Sequence, residues 1–244
     1  ILEKKSLEHV TNRIRAGILE PGTVKLIKKA GISSRLDKEG LKHNGFKVAY
    51  NNNIYDINLK SLGNDSVTVY GQTEVTKDLM QKLSDENVKI IYEIPKINIL
   101  DIENKPQVDF YYNKTKENIR ADFIVGCDGF HGISKSYIPK NIKKIFKKDY
   151  NFGWLGILSD TKPISNELIY INNMTGFALC SMRSKKRSRY YIQCDINENI
   201  KNWSDDKFWD SLYKALPHDI KNSLQTGPAI EKSIAKLRSY VIEP

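Results

Sequence analysis

Two periods of apolar residues divide the first half of the chain into predicted helices and strands. Val75 and Leu79 fall on one helical face, which predicts a helix over residues 72–87. A second apolar face predicts a helix over 19–30, and Gly31 is suited to close it because glycine readily adopts left-handed backbone. Runs rich in β-branched and aromatic residues predict strands at 45–50, 54–59, 66–70, 88–92, 97–102, 108–112 and 123–125, the last of them buried.

The pattern changes after Asn151, where alternation of apolar and polar residues prevails over helical spacing. Residues 151–193 are mostly predicted strand, followed by an aromatic-rich helix over 205–216 and a final strand within 230–242. Strands alternating with helices indicate a parallel sheet in the first half, and clustered strands indicate an antiparallel sheet in the second. The predicted fold class is therefore α/β, with an α+β mixture of sheets.

The stretch 177–193 holds the most specific candidate chemistry. It predicts two strands around a basic turn, and side chains two residues apart on a strand point to the same side. Ser181 and Arg183 then share one face, as do Arg189 and Tyr191 on the returning strand. A guanidinium offers two parallel donors, so this face suits a carboxylate. A basic hairpin turn with solvated charges explains the same spacing, and the spacing alone leaves both interpretations open.

Length and hydropathy narrow the class of protein. With 244 residues and 40% hydrophobic content, the chain is long enough for a large core in one or two domains. No apolar run approaches the roughly 18 residues that a spanning helix needs. The first residues also lack the apolar core and cleavage site of a signal peptide. We therefore expect a soluble cytoplasmic protein without a membrane partner.

The net charge of +10 raises the question of nucleic-acid binding. The densest basic cluster is formed by Lys143, Lys144, Lys147 and Lys148. It lacks interleaved aromatic residues or a recognition helix, which favours a solvated surface and no nucleic-acid partner. The cysteines, Cys127, Cys180 and Cys194, are odd in number and far apart, which predicts buried free thiols rather than disulfides. Scattered histidines and cysteines also predict no metal site.

Several further segments carry a resemblance to a known family. They are Arg13-Ile-Arg-Ala-Gly17, Val67-Thr-Val-Tyr-Gly-Gln-Thr-Glu-Val-Thr76, Gly126-Cys-Asp-Gly-Phe-His-Gly132, Phe152-Gly-Trp-Leu-Gly-Ile-Leu158, Asn202-Trp-Ser-Asp-Asp206 and Glu231-Lys-Ser-Ile-Ala-Lys-Leu-Arg238. With these segments, essentially the whole chain resembles the flavoprotein aromatic hydroxylases. Gly-Cys-Asp-Gly is typical of the broad class. Tyr170 with Ser181, Arg183 and Tyr191 is specific to the 4-hydroxybenzoate 3-monooxygenases.

The resemblance implies a particular domain organisation. A Rossmann-like FAD/NAD(P)-binding domain would be interleaved with an antiparallel-sheet substrate domain. The FAD-binding part would comprise 1–41, 71–150 and 239–244, and the substrate-binding part 42–70 and 151–238. The glycine-rich turn expected before Glu3 and the Gly-Asp segment expected after Pro244 are not in the sequence. We therefore expect a fold incomplete at both termini, which alone binds FAD weakly and turns over little or nothing.

The resemblance also implies the reaction and the residues around the substrate. The family uses FAD, NADPH or NADH, and O2 to hydroxylate 4-hydroxybenzoate beside its phenol group, giving 3,4-dihydroxybenzoate. Arg183, assisted by Ser181 and Tyr191, would bind the substrate carboxylate. Tyr170 would hydrogen-bond the phenol oxygen and help to ionise it. His43 would stand at the solvent end of a proton relay, although a histidine in a polar loop is also often just exposed.

Cofactor-binding residues follow from the resemblance in the same way. They are Glu3, Arg13, Arg15, Gln72, Asp128, His131 and Arg189. Glu3 would accept hydrogen bonds from ribose, and Asp128 would lie in a tight turn near the pyrophosphate. Lys4 and Lys5 favour the 2′-phosphate of NADPH, while NADH stays an alternative co-substrate. The usual arginine four residues after His131 is Lys135, which keeps the charge but loses the bidentate geometry.

Two other interpretations stay open. A related hydroxylase could use another phenolic acid, since a carboxylate grip does not specify the rest of the ring. A non-catalytic basic binding module would explain the charge without any chemistry. The family's tendency to form dimers leaves a homodimer open.

Overall fold

The computed structural model describes residues 1–14 and 16–243, with residues 240–243 described by their backbone only. Its helices are α1 (Leu7–Asn12), α2 (Pro21–Lys29), α3 (Ser34–Glu39), α4 (Gln72–Asp85), α5 (Asp205–Ala215) and α6 (His218–Lys221). Its strands are β1 (Ile18–Leu19), β2 (Leu41–His43), β3 (Gly45–Tyr50), β4 (Asn53–Asn58), β5 (Val67–Val69), β6 (Ile97–Leu100), β7 (Gln107–Tyr112), β8 (Thr115–Arg120), β9 (Lys144–Ser159), β10 (Leu168–Asn173), β11 (Gly176–Ser184), β12 (Arg187–Asp195) and β13 (Ala229–Glu243).

The largest sheet has the strand order β13-β9-β12-β11-β10-β3-β4. β10 pairs in parallel with β3, whereas the pairs β9–β12, β11–β12, β10–β11 and β3–β4 are antiparallel. Alternation gives the sheet two different faces: Ile169 and Ile171 of β10 are buried in the core, and Tyr170 points to the opposite side. The strands predicted over 151–193 are confirmed, within a sheet that is mixed rather than purely antiparallel.

Helix α5 covers the core face of this sheet and packs against β10, β11 and β12. Its N-terminus is capped by Ser204, whose hydroxyl accepts a hydrogen bond from the Lys207 N–H at 3.1 Å. Phe208 and Leu212 lie on its inner side with no exposed surface. The aromatic-rich helix predicted over 205–216 is confirmed. Because α5 packs on one face of the sheet, the opposite face is not covered by this helix.

The gap between the strands predicted over 45–50 and 54–59 is a tight turn. Asn51 and Asn52 connect β3 to β4 with φ angles of 48° and 66°, the left-handed conformation that a two-residue hairpin turn requires. Helix α4 matches the helix predicted from residue 72. Helix α2 begins at Pro21, after the predicted start, because Ile18–Leu19 form β1 against β5. Gly31, with φ of 71°, follows the end of α2 as expected.

The buried strand predicted over 123–125 is wrong. Phe123 is 86% exposed and Val125 is 79% exposed, and within residues 1–14 and 16–243 no strand pairs with this segment. A buried strand needs a neighbour for its backbone groups and a covered face for its side chains. The segment 88–92 contributes only an isolated parallel bridge between Leu2 and Ile91. The parallel sheet expected in the first half is therefore limited to that bridge among the described residues.

The chain divides into two compact units. One comprises Ile1–Arg13, Met80–Lys148 and Ser239–Pro244, and it contains the antiparallel sheet β6-β7-β8. The other comprises Ile14–Leu79 and Asp149–Arg238, and it contains the small sheet β1-β5-β2 together with most of the large sheet. The domain division expected from the resemblance stays a prediction.

Cysteine exposure departs from expectation at one position. Cys180 and Cys194 are buried free thiols, but Cys127 is exposed because the segment before it is not a buried strand. In the part of the chain that the structure describes, no cluster of three or more His, Cys, Asp or Glu could hold a metal ion. None of the helices described combines the length and apolar composition that crossing a lipid bilayer requires.

Candidate functional site

The hairpin of β11 and β12 brings the predicted polar residues onto the sheet face opposite α5. Ser181 lies directly across from Arg189, in keeping with the predicted antiparallel pairing. One row across the strands runs through Tyr170, Leu179, Tyr191 and Gly156, which are cross-strand partners in turn. Side chains of paired residues lie on the same face, so Tyr170 and Tyr191 flank Leu179.

Arg183 occupies a bulge in β11. The pairing shifts between Met182 and Ser184, which leaves Arg183 without a direct partner on β12. A bulge re-aims the side chain of the extra residue, and bulges are frequent beside active sites. The guanidinium is turned towards the backbone of Gly17, with its Cζ 3.3 Å from the position that a Cβ on that glycine would take.

Arg183 is half-buried, and no carboxylate of the described residues forms an ion pair with it. Its Nη1 has no hydrogen-bond partner among those residues. Burial lowers the pKa of Arg183, and the nearby Arg189 adds to the effect, while Tyr191 and Glu231 oppose it. A buried guanidinium nitrogen without a hydrogen-bond partner is unfavourable, and an anionic ligand would supply that partner. The site is therefore suited to a carboxylate.

Arg189 has more hydrogen-bond partners than Arg183. Its Nη1 donates to Glu231 Oε2 at 2.8 Å, and its Nη2 donates to Ser233 Oγ at 3.1 Å. The guanidinium also lies over the ring of Tyr191, 5.0 Å from the centroid. These contacts fix Tyr191 and Arg189 as one wall of the site.

Aromatic rings continue this face beyond the row that contains Tyr170. The ring of Tyr170 meets Phe46 edge-on at 5.5 Å and Phe177 at 6.2 Å, and Phe177 meets Trp154 at 4.8 Å between centroids. Packing against two rings restricts the orientation of the Tyr170 side chain. A phenolic hydroxyl on a fixed ring therefore lies on the same sheet face as the Arg183 guanidinium.

His43 lies at the end of β2 and not in an exposed polar loop. The side chain is 5% exposed, and its Nδ1 has no partner among the residues described. Burial lowers its pKa, although Glu167 pulls in the opposite direction. The expectation of a solvent-facing histidine is therefore wrong for its exposure, and its role in a relay stays a prediction.

In the other unit, the turn around Asp128 is built from glycines. Gly129 has a φ of 68°, and a Cβ on Gly126 or Gly132 would collide with Ser134 or Asp128. Asp128 accepts hydrogen bonds at 2.9 Å from both the N–H and the hydroxyl of Ser134, which lower its pKa. The carboxylate is thus occupied within the turn, and the backbone of Gly129 stays open to an approaching group.

The remaining predicted cofactor residues are mostly at the surface. His131 is exposed and stacks edge-on against Phe130 at 4.9 Å. Arg13 is exposed at the end of α1, and Gln72 is exposed at the start of α4. The half-buried Glu3 accepts a hydrogen bond from the Lys5 N–H at 2.8 Å. Arg15 lies outside the described residues.

Comparison with known proteins decides the family. The model of the FAD binding domain matches residues 1–244, the whole chain. The chain belongs to the FAD-binding domain family. A p-hydroxybenzoate hydroxylase of Acinetobacter baylyi is 48% identical over 245 residues, which cover 100% of this chain and 61% of that protein. The chain therefore spans less than two thirds of the curated relative that it matches.

Solved structures support the same fold at low sequence identity. The p-nitrophenol 4-monooxygenase PnpA from Pseudomonas putida DLL-E4 has a TM-score of 0.81 at 13% identity, covering 99% of this chain and 62% of that one. The flavin-dependent halogenase CmlS has a TM-score of 0.75 at 15% identity, covering 98% of this chain and 45% of that one. The mixed α/β fold class predicted from the sequence is confirmed.

Among the predicted cofactor residues, those of the turn at 126–129 have a geometry compatible with a dinucleotide. The glycine turn at 126–129 offers backbone at close range, with the Asp128 charge already engaged by Ser134. Gly17, Gly156, Glu231 and Ser233 lie in segments that resemble the family, but sequence reasoning gave none of them a role in the site. Each of them contacts a predicted residue only through long-range folding, so these contacts could not be predicted from a local pattern.

Proposed function

We propose that the protein containing this chain is an FAD-dependent monooxygenase. It converts 4-hydroxybenzoate to 3,4-dihydroxybenzoate with NAD(P)H and O2. The observation that carries the proposal is the buried, unpartnered Nη1 of Arg183 on the face that also presents Tyr170 and Tyr191. The identity to a p-hydroxybenzoate hydroxylase supports the same substrate.

Each substrate-facing residue has a role that its geometry supports. Arg183 holds the carboxylate, with Ser181 and Tyr191 beside it as hydroxyl donors. Tyr170 accepts or donates a hydrogen bond at the phenol oxygen, which orients the ring and favours loss of the phenol proton. His43, neutral and buried, passes that proton onward.

The cofactor residues form the second part of the proposal. Bound FAD, reduced by NAD(P)H, would supply the activation of O2 for transfer of one oxygen atom to the ring. Residues that we propose hold or orient the two dinucleotides are Glu3, Arg13, Arg15, Gln72, Asp128, His131 and Arg189. Lys4 and Lys5 favour NADPH over NADH. The substrate-binding part comprises 42–70 and 151–238, with the FAD-binding part in 1–41, 71–150 and 239–244.

The test uses the full-length protein reconstituted with FAD. We expect 4-hydroxybenzoate to stimulate NAD(P)H oxidation and to yield 3,4-dihydroxybenzoate, identified by mass spectrometry. Arg183→Lys should weaken 4-hydroxybenzoate binding by about tenfold or more, because the bidentate fork is lost. Arg187→Lys is the matched control, since Arg187 lies on the same hairpin but pairs with Asp160 at the surface. Hydroxylation of a different phenolic acid, or unchanged affinity in Arg183→Lys, would refute the proposal.

A further inference from the structure

The space beside Gly17 is filled by the side chain of Arg183. A Cβ built on Gly17 would collide with Nη1 of Arg183 and would lie 3.3 Å from Cζ and 3.4 Å from Cδ. The nitrogen in collision is the same one that has no hydrogen-bond partner among the described residues. Because Gly17 has no side chain, Nη1 of Arg183 can occupy this space.

The backbone does not need glycine at this position for its own conformation. The glycines with left-handed φ angles are Gly31, Gly63, Gly129 and Gly176, and Gly17 is not one of them. An L-residue could adopt the backbone of Gly17 without strain. The reason for glycine is thus the neighbouring guanidinium and not the chain itself.

The segment that carries Gly17 is fixed from behind. The Gly17 carbonyl accepts a hydrogen bond from the Tyr70 N–H at 2.8 Å, and the Ala16 carbonyl accepts one from the Gln72 N–H at 2.8 Å. Directly afterwards, Ile18 pairs with Val69 in the sheet β1-β5-β2. A larger residue could retreat only by breaking these bonds, so the guanidinium would move instead.

The Arg183 guanidinium cannot move far without changing its contacts with Arg189 and Tyr191. Arg189 lies on one side as a like charge that lowers the pKa of Arg183, and Tyr191 lies close enough to raise it. Tyr191 is itself stacked against Arg189 and packed against Gly156, where a Cβ would come within 2.6 Å of its ring. A displaced Arg183 guanidinium would therefore change its position relative to Tyr191 and Arg189.

We propose that Gly17 is a positioning residue that sets the place of the Arg183 guanidinium, and with it the carboxylate end of the substrate site. The inference rests on the proposed function, because it assumes that Arg183 binds a carboxylate. It assigns to the Arg-Ile-Arg-Ala-Gly segment a role in substrate binding, separate from the cofactor roles proposed for its arginines.

The test is the dissociation constant of 4-hydroxybenzoate for full-length, FAD-loaded Gly17→Ala. We expect a loss of about tenfold or more, because a shift of about 1 Å in a positioned group has effects of this size or larger. Binding of the neutral analogue 4-hydroxybenzamide should change less than about twofold. Gly22→Ala is the matched control, because nothing lies within 4 Å of a Cβ there. Equal weakening of both ligands would overturn the proposal.

A double-variant cycle separates this inference from the proposed function. In the Arg183→Lys background, Gly17→Ala should cost little further affinity, because lysine has no Nη1 to displace. If Arg183→Lys alone leaves 4-hydroxybenzoate binding unchanged, the proposed function fails. If Arg183→Lys weakens binding but Gly17→Ala does not, only the positioning role fails. Should Gly17→Ala not fold, the double variant is expected to fold, and its failure to do so would overturn the proposal.

Discussion

His43 shows how burial alone gives a residue a pH-dependent contribution to stability. Its pKa is lowered in the folded state, so the unfolded chain binds the proton first as pH falls below about 6.5. The stabilising contribution is complete above that pH and is lost as the pH falls towards the folded-state pKa. For one proton, the free energy of unfolding can change by at most about 1.4 kcal/mol per pH unit.

We therefore predict that His43→Gln flattens the pH dependence of stability between about pH 7.5 and 5.5, the range around the ordinary histidine pKa. The measurement is the free energy of unfolding in urea at several pH values. His131→Gln serves as the control, because His131 is exposed at the surface beside the ring of Phe130. Parallel curves for the wild type and His43→Gln would show that burial does not shift the titration of this histidine.

At the same scale, sequence reasoning predicted part of the site and could not predict the rest. Alternation was enough to predict that Arg189 and Tyr191 share a face, since a strand period of two needs only local residues. The bulge at Arg183 depends on the register of β11 against β12, which the spacing of polar residues does not give, and the ion pair of Arg189 with Glu231 joins strands far apart in the chain. The burial of His43 has the same origin, because a short strand such as β2 gives no signal of its own.

At the scale of elements, α5 stabilises the large sheet through its inner face. Leu212 has no exposed surface, so Leu212→Ala should lower the free energy of unfolding by about 3 kcal/mol, the sum of lost transfer energy and a residual cavity. The measurement is urea unfolding followed by circular dichroism. Leu26→Ala in α2 is the matched control, because Leu26 is 68% exposed and should cost less than about 0.5 kcal/mol. Similar costs for both would mean that α5 does not pack on the sheet as described.

Elements with a clear local sequence pattern could be predicted, and elements without one could not. The amphipathic pattern of α5 and the Asn51–Asn52 turn each follow from residues within a few positions. The short helices α1 and α3 and the polar strand β8 were missed, because their residues carry no clear apolar period. The segment 123–125 was misassigned for the opposite reason, since its apolar run imitates a buried strand.

At the scale of the whole molecule, the two units differ in how completely they bury apolar residues. The large sheet and α5 form an extended core in which Leu155, Ile157, Ile169 and Phe208 are fully buried. The unit that contains β6, β7 and β8 leaves several large apolar side chains exposed: Phe123, Val125, Ile142, Ile145 and Phe146. Stability should therefore be distributed unevenly along the chain.

Hydrogen exchange of the 244-residue chain measures this difference directly. The backbone N–H groups of 123–125 make no hydrogen bond to the described residues, so we predict exchange near the rate of an unstructured peptide. The amides of β10 and β11, paired on both sides in the sheet, should exchange only through larger openings and provide the internal control. Protection of 123–125 equal to that of β11 would restore the strand that the sequence predicted, because slow exchange of these amides requires a partner strand.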